Sequence, residues 1–129
     1  EAKGRFEIVN DSPVKIIDGA HNYEGVEMLL RNYENKYGHL NTDLFLGFKK
    51  GKDIINIFNL IIGKTNYNLH LIEDDTFFDQ EITKEIGYLL DKHGKNYKIS
   101  SLEQFNRNKN PSILLGSLYL IGEYKKRNI

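Results

Sequence analysis

Residues 16–22 read IIDGAHN and join an apolar run to a segment with helical periodicity. The apolar run is typical of a buried strand. Downstream, Val26, Leu29 and Leu30 recur at spacings of three and one, which predicts one apolar face of a helix that stops at Gly38. A strand that passes into a helix through such a joint is the repeating unit of an α/β domain.

The same alternation of strand and helix continues along the chain. Residues 5–9 and 14–17 flank the turn signal NDSP and predict an antiparallel hairpin. Further strands are predicted at residues 43–48, 68–72, 97–99 and 113–115, and helices at 54–62, 78–92, 102–105 and 118–126. The pattern predicts a three-layer α/β fold with a mostly parallel sheet, an N-terminal antiparallel hairpin and helices on both faces.

Composition limits the classes of partner. The 129 residues suffice for one domain, and 18 basic residues balance 18 acidic ones, so net charge does not favour nucleic acid or an anionic membrane. No cysteine is present, which excludes disulfides and thiolate zinc sites. No apolar run approaches the roughly 20 residues of a membrane span. We therefore expect one soluble, cytoplasmic domain with neither a nucleic-acid nor a membrane partner.

The joint at residues 18–22 has the composition of a ligand site. Gly19 and Ala20 let a ligand approach the backbone, and the following helix offers free N–H groups to an anion. Asp18 could accept hydrogen bonds from ribose hydroxyls, and His21 could donate to a phosphate or carboxylate. The plainer interpretation is that Asp18 or Asn22 only caps the helix. The GxGxxG motif of dinucleotide-binding domains is absent.

Two other strand-to-helix joints are candidate sites. Residues 47–53, GFKKGKD, could hold a phosphate or carboxylate, or could be solvated surface; the P-loop spacing is missing. Ser117, in LGSLY at 115–119, is either an N-cap or a ligand contact, and it lacks the GxSxG context of a nucleophile. The remaining histidines have no metal-ligand spacing. The acidic run at 73–75 is either a solvated turn or a metal or phospho-acceptor site.

Four motifs together resemble a known family. GRFE at 4–7, DGAHN at 18–22, the Lys-Asp pair at 52–53 and GSLYLIGE at 116–123 resemble, in order, the C-terminal domain of folylpolyglutamate synthase/dihydrofolate synthase, a branch of the Mur ligases. The resemblance implies a Rossmann-like domain with a six-stranded sheet. It also implies that residues 1–129 are the C-terminal domain of a longer enzyme whose N-terminal P-loop ATPase domain is absent here.

The resemblance further implies a reaction. Such enzymes use ATP to convert a carboxylate of folate or dihydropteroate into an acyl phosphate, which L-glutamate attacks to form an amide. In such enzymes Mg²⁺ neutralises the charge of the transferred phosphoryl group. Its ligands lie in the N-terminal domain, so no metal ligand is expected in this chain. The C-terminal domain closes over the nucleotide. We expect a monomer in which this domain alone is inactive.

Residue by residue, the resemblance assigns the nucleotide to Arg5 and Asp18. Arg5 is expected on the nucleotide phosphates and Asp18 on the ribose. His21 is expected near the terminal phosphate and the incoming glutamate, as the catalytic residue. Whether it orients the amine or stabilises the acyl phosphate stays open.

The glutamate contacts are expected at Ser117, Tyr119, Lys52 and His21. The chain departs from the family at Tyr23, where many relatives have proline, and after 70–72, where a Pro-Arg motif is missing. Two alternatives stay open: a Mur-type ligase that adds amino acids to cell-wall precursors, and a free-standing α/β binding or regulatory module. Only the acidic pair at 74–75 supports the module.

Overall fold

The computed structural model of the chain describes residues 4–38, 40–49, 53–73 and 80–127. Its strands form one six-stranded sheet in the order β1-β2-β6-β3-β4-β5. The strands are β1 (Glu7–Asp11), β2 (Val14–Asp18), β3 (Thr42–Leu46), β4 (Tyr67–Ile72), β5 (Tyr97–Ser100) and β6 (Ser112–Leu115). The helices are α1 (Tyr23–Tyr37), α2 (Ile54–Ile62), α3 (Gln80–Lys92), α4 (Leu102–Arg107) and α5 (Leu118–Arg127).

The predicted fold class is confirmed. β1 and β2 pair antiparallel, and the other strand pairs are all parallel. The predicted position of the first strand is wrong, since the strand begins at Glu7 instead of Arg5 and extends to Asp11. Phe6 has a φ of 45°, a left-handed conformation that no strand residue adopts. The predicted start of the third helix, Phe78, lies outside the described residues.

The parallel register brings three strand ends to one edge of the sheet. β6 lies between β2 and β3, and Leu115 is the register partner of both Asp18 and Leu46. The joints that follow β2, β3 and β6 therefore start side by side. This edge is where ligands bind in open α/β sheets.

Helices cover both faces of the sheet. On one face, the buried hydroxyl of Tyr33 in α1 lies 2.7 Å from the Thr42 hydroxyl of β3. On the other, Phe105 of α4 packs edge-on against Phe45 of β3 and against Tyr124 of α5. Burying one side chain of this size contributes about 1.5–3 kcal/mol. In the described part of the chain, every helix is too short or too polar to cross a lipid bilayer.

A buried carboxylate organises the amino ends of the strands. Asp43 of β3 is 3% exposed. It accepts hydrogen bonds from the side-chain amides of Asn68, Asn108 and Asn110 at 2.9, 2.9 and 3.2 Å. Burial alone would raise the pKa of Asp43, but His70 and the three amides outweigh burial and hold the pKa well below its usual value. The ionised form of Asp43 therefore stabilises the fold.

Substituting Asp43→Asn is expected to lower the free energy of unfolding by about 2–3 kcal/mol at pH 7, because charge-assisted hydrogen bonds are lost. Because the pKa of Asp43 is lower in the folded state than in the unfolded state, the stability that its carboxylate contributes is present above the unfolded-state pKa and is lost as the pH falls below it. The difference between the two proteins should therefore shrink by about 1.4 kcal/mol per pH unit below roughly pH 4. Urea denaturation of both proteins at pH 7 and pH 3 measures this difference in free energy of unfolding, and Asp91→Asn, at an exposed position, is the control. A difference that does not change with pH would contradict the stabilising role of the Asp43 carboxylate.

Candidate functional site

A cavity of about 260 Å³ lies where the three joints meet. Residues from all three joints line it: His21, Phe48, Lys49, Asp53, Ile54, Gly116, Ser117, Leu118 and Tyr119. Three of the residues predicted from the sequence, His21, Ser117 and Tyr119, are thus brought together. Predominantly apolar walls with a few polar groups are typical of a small-molecule site.

The joint after β2 is held by hydrogen bonds within its own backbone and side chains. Asn22 is the N-cap of α1, and its Oδ1 accepts from the Gly25 N–H at 2.8 Å. Asp18 instead accepts from the Ala20 N–H at 2.8 Å. Of the two candidate caps, Asn22 is therefore the cap, and Asp18 fixes the turn that carries His21.

The contacts of His21 define which ring nitrogen is free. The ring is exposed, and its Nδ1 lies 3.1 Å from the Gly19 carbonyl oxygen. Because a carbonyl oxygen only accepts, this contact places a proton on Nδ1. In the neutral ring, Nε2 then has a lone pair that can take a proton from a ligand.

Ser117 caps α5, as the plainer interpretation predicted. Its Oγ lies 3.1 Å from the Tyr119 N and 3.5 Å from the Leu120 N, and it accepts from both. Since the cap uses the oxygen only as an acceptor, the hydroxyl hydrogen is available to donate to an anion. The cap and a ligand contact are therefore compatible in one side chain.

Close packing of two strand ends shapes the floor of the cavity. Gly116 has a φ of +125°, and a Cβ built there would lie 2.4 Å from the Gly47 carbonyl oxygen. The Gly47 N–H donates to the Leu115 carbonyl at 3.0 Å. Only glycine at position 116 allows this approach and this backbone conformation.

Lys49 is a residue that the sequence analysis did not assign. Its Nζ lies 4.2 Å from the centroid of the Tyr119 ring, within range of a cation–π interaction. The resemblance pointed instead to Lys52 in the same lysine-rich joint, and Lys52 lies outside the described residues. The sequence signal that could have identified Lys49 as a cavity residue is its position directly after Phe48, which is buried and lines the cavity.

Arg5 and Asp18 lie beside the cavity but do not line it. The Phe6 N–H donates to Asp18 Oδ2 at 3.0 Å, and the Gly19 N–H donates to the Gly4 carbonyl at 2.6 Å, so the GRFE turn is bound to the DGAHN joint. Asp18 is 6% exposed. Burial raises the pKa of its carboxyl, opposed by the hydrogen bonds that the carboxylate accepts from the Ala20 and Phe6 N–H groups and by the Arg5 charge.

The donor set around the cavity suits an anion. It consists of the His21 imidazole, the Lys49 ammonium group and the Ser117 hydroxyl, beside the N-terminus of α5. The Asp53 carboxylate also lines the cavity. Within residues 4–38, 40–49, 53–73 and 80–127, no group of three or more His, Asp or Glu side chains is placed to hold a metal ion. The acidic pair at 74–75 falls outside these ranges.

Comparison with known proteins gives a sequence relative. No family model matches the chain. The chain is 25% identical over 130 aligned residues to a dihydrofolate synthase/folylpolyglutamate synthase of Bacillus subtilis. The alignment covers 96% of this chain and 30% of that protein, so the chain spans about a third of the curated relative it matches.

Solved structures share the fold. A folylpolyglutamate synthase of Thermotoga maritima superposes with a TM-score of 0.80 at 24% identity, over 98% of this chain and 30% of that one. A bifunctional folylpolyglutamate synthase/dihydrofolate synthase of Yersinia pestis, complexed with AMPPNP and Mn ion, has a TM-score of 0.74 at 19% identity, over 99% and 32%. The resemblance predicted from the motifs is therefore confirmed: in sequence and in fold, the chain is similar to the folylpolyglutamate synthase/dihydrofolate synthases.

Proposed function

We propose that this chain is the glutamate-ligase domain of an ATP-dependent enzyme that adds L-glutamate to folate or dihydropteroate. The observation that carries the proposal is the cavity in which His21 and Ser117 meet at the carboxyl edge of the sheet. An imidazole, a hydroxyl and a helix N-terminus around a small cavity match the needs of an amino acid that must be bound by its carboxylates and deprotonated at its amine.

In this proposal the domain works on an acyl phosphate formed from ATP. The glutamate amine attacks the acyl carbon, the new C–N bond forms, the C–O bond to phosphate breaks and phosphate leaves. His21 Nε2 takes the proton that the amine loses. Ser117 donates its hydroxyl hydrogen to a glutamate carboxylate, and Tyr119 and Lys52 flank the same ligand.

The nucleotide lies on the Arg5 side of the site. Arg5 is exposed and suits phosphate oxygens through its planar guanidinium group. Asp18 holds the GRFE turn in place and accepts a hydrogen bond from a ribose hydroxyl. Ligands in an N-terminal ATPase domain of the same cytoplasmic, monomeric enzyme would hold Mg²⁺, which would neutralise the charge of the phosphates.

A ligation assay tests this function. The full-length protein that contains this chain is incubated with ATP, Mg²⁺ and labelled glutamate, with folate or dihydropteroate as acceptor. We expect label in a pterin-containing product and one phosphate released per glutamate. Transfer of an amino acid to a cell-wall peptide precursor instead would assign the chain to the Mur-type alternative, and no transfer to any acceptor would favour a binding module.

Ser117→Ala separates the cap from the ligand contact. We expect the substitution to cost about 1 kcal/mol of stability as a lost cap. It should also raise the KM for glutamate roughly tenfold, because a hydrogen bond to a charged group is worth about 1.5–3 kcal/mol.

Ser101→Ala is the matched control for the cap. Ser101 caps α4 in the same way, with its Oγ accepting from the Gln104 N–H at 3.2 Å, but it does not line the cavity. Steady-state kinetics should show an unchanged KM for glutamate in this variant. If both variants had the same KM for glutamate, Ser117 would not contact glutamate.

A further inference from the structure

The GRFE turn presents Arg5 between two residues with an unusual backbone conformation. Gly4 and Phe6, on either side of Arg5, have φ values of +78° and +45°. Both values lie in the left-handed region, which residues other than glycine rarely adopt. The Arg5 side chain itself is exposed. Because a free chain would seldom adopt this turn, its shape depends on contacts with the rest of the domain.

Hydrogen bonds from two directions hold the GRFE turn. From the DGAHN joint, the Gly19 N–H donates to the Gly4 carbonyl oxygen at 2.6 Å. Asp18 Oδ2, in the same joint, accepts from the Phe6 N–H at 3.0 Å. From within the turn, the Gly4 N–H donates to Glu7 Oε1. The Glu7 side chain therefore closes the turn on the side away from the DGAHN joint.

An ion pair connects Glu7 to helix α5. The Nζ of Lys125 lies 2.7 Å from Glu7 Oε1, the same oxygen that accepts from the Gly4 N–H. The side chains of Lys125 and Glu7 are 35% and 26% exposed, so both are partly shielded from water. Because the ammonium group fixes the position of the carboxylate, it also fixes the acceptor that closes the turn.

The other end of α5 packs against the same turn. Leu118, the first residue of α5, covers two glycines: a Cβ built at Gly4 would lie 3.2 Å from Leu118 Cδ2, and one built at Gly19 would lie 2.3 Å from it. Leu118 also lines the candidate cavity, next to Ser117. Lys125 follows about two helical turns later. One helix therefore holds the GRFE turn at both of its ends and borders the glutamate cavity.

We propose that Glu7 is a positioning residue for nucleotide binding: paired with Lys125, its carboxylate holds the GRFE turn so that Arg5 faces the nucleotide phosphates. The inference rests on the proposed function, which assigns the phosphates to Arg5. When only a fraction of the molecules hold the binding-competent turn, the apparent Kd rises in inverse proportion to that fraction. Without the Glu7 acceptor, Arg5 keeps its charge but holds the competent position less often.

The nucleotide affinity of the full-length protein tests the proposal. Isothermal titration calorimetry with AMPPNP and Mg²⁺ gives the Kd and, from the stoichiometry, the folded fraction. Glu7→Ala should raise the Kd about tenfold, or about 1.4 kcal/mol, with unchanged stoichiometry. Glu7→Gln keeps an acceptor oxygen for the Gly4 N–H and should recover most of the affinity. Lys125→Met should raise the Kd about threefold, within the range for a partly exposed ion pair.

A double-mutant cycle separates positioning of Arg5 from a general effect on the fold. Arg5→Ala alone should raise the Kd for AMPPNP at least tenfold, because a charged hydrogen-bond donor to phosphate is lost. In the Arg5→Ala protein, Glu7→Ala should change the Kd less than about twofold, since no guanidinium group is left to position. An equal effect of Glu7→Ala with and without Arg5 would overturn the inference, and so would an unchanged Kd in Glu7→Ala.

Glu27→Ala and Lys126→Met are the matched controls for the two charges. Glu27 forms an ion pair at 2.7 Å with Arg31 on α1, and Lys126 is the exposed neighbour of Lys125. Both control variants should bind AMPPNP as the unmodified protein does. If they weakened binding as much as Glu7→Ala and Lys125→Met, the effect would come from net charge, and the inference would be wrong.

Glutamate ligation, measured in the same preparations, separates this inference from the proposed function. Absent ligation in the unmodified protein would reject the proposed function, and the Kd values would still decide the role of Glu7, because binding does not need the chemical step. Intact ligation with an unchanged Kd in Arg5→Ala would reject the nucleotide contact of Arg5 and, with it, the positioning role of Glu7.

Discussion

Gly116→Ala is expected to destabilise the domain by about 3–4 kcal/mol. The new Cβ would lie 2.4 Å from the Gly47 carbonyl oxygen and 2.7 Å from its carbon, and both are backbone atoms that cannot rotate away. Overpacking of this kind costs about 1–3 kcal/mol. The φ of +125° adds strain of about 1–3 kcal/mol for any residue with a side chain.

Gly122→Ala is the matched control in the neighbouring helix. Gly122 lies in α5, and a methyl group added there would meet no atom within 4 Å outside the backbone of its own helix. Alanine should therefore stabilise the helix by up to about 1 kcal/mol. Urea denaturation of both variants gives the two free energies. If Gly116→Ala lowered the free energy of unfolding by less than about 1 kcal/mol, Gly116 and Gly47 could not be as close as described, and the described shape of the cavity floor would be wrong.

His21→Ala is expected to lower kcat for glutamate ligation by about 100-fold, the lower range for a positioned acid–base group. The substitution should leave stability nearly unchanged, because the ring is exposed and, among the described residues, its hydrogen bond is to the Gly19 carbonyl. The affinity for ATP should also change little, since Arg5 and Asp18 are the proposed nucleotide contacts. Stopped-time ligation assays at saturating glutamate measure kcat.

His93→Ala is the control for removing an exposed imidazole. His93 is also exposed, and its Nδ1 lies 2.9 Å from a backbone carbonyl oxygen, that of Leu89. It does not line the candidate cavity. If both variants kept full kcat, His21 would have no catalytic role, and the proposed proton acceptor would have to be another group.

The fold could be predicted from the sequence because apolar periodicity reports burial. Val26, Leu29 and Leu30 are all buried on α1, and Gly38 ends that helix as predicted. The start of β1 could not be predicted in this way. Arg5 and Phe6 fit the alternating pattern of a strand, yet Phe6 is held in a left-handed turn by its hydrogen bond to Asp18, twelve residues away in sequence.

The candidate site could be predicted only in part. The short motifs identified His21, Ser117 and Tyr119, which the fold brings to one cavity. Lys49 and the apolar wall made by Phe48 and Ile54 depend on how the joint after β3 turns, and that turn is set by packing against other strands.

The central claim is that glutamate binds in the cavity between His21 and Ser117. The most direct measurement is a crystal structure of the full-length protein with ADP and glutamate. The account predicts a glutamate carboxylate within about 3 Å of Ser117 Oγ, a usual hydrogen-bond distance, and the amine facing His21 Nε2. Glutamate bound elsewhere, with this cavity left empty, would contradict the account.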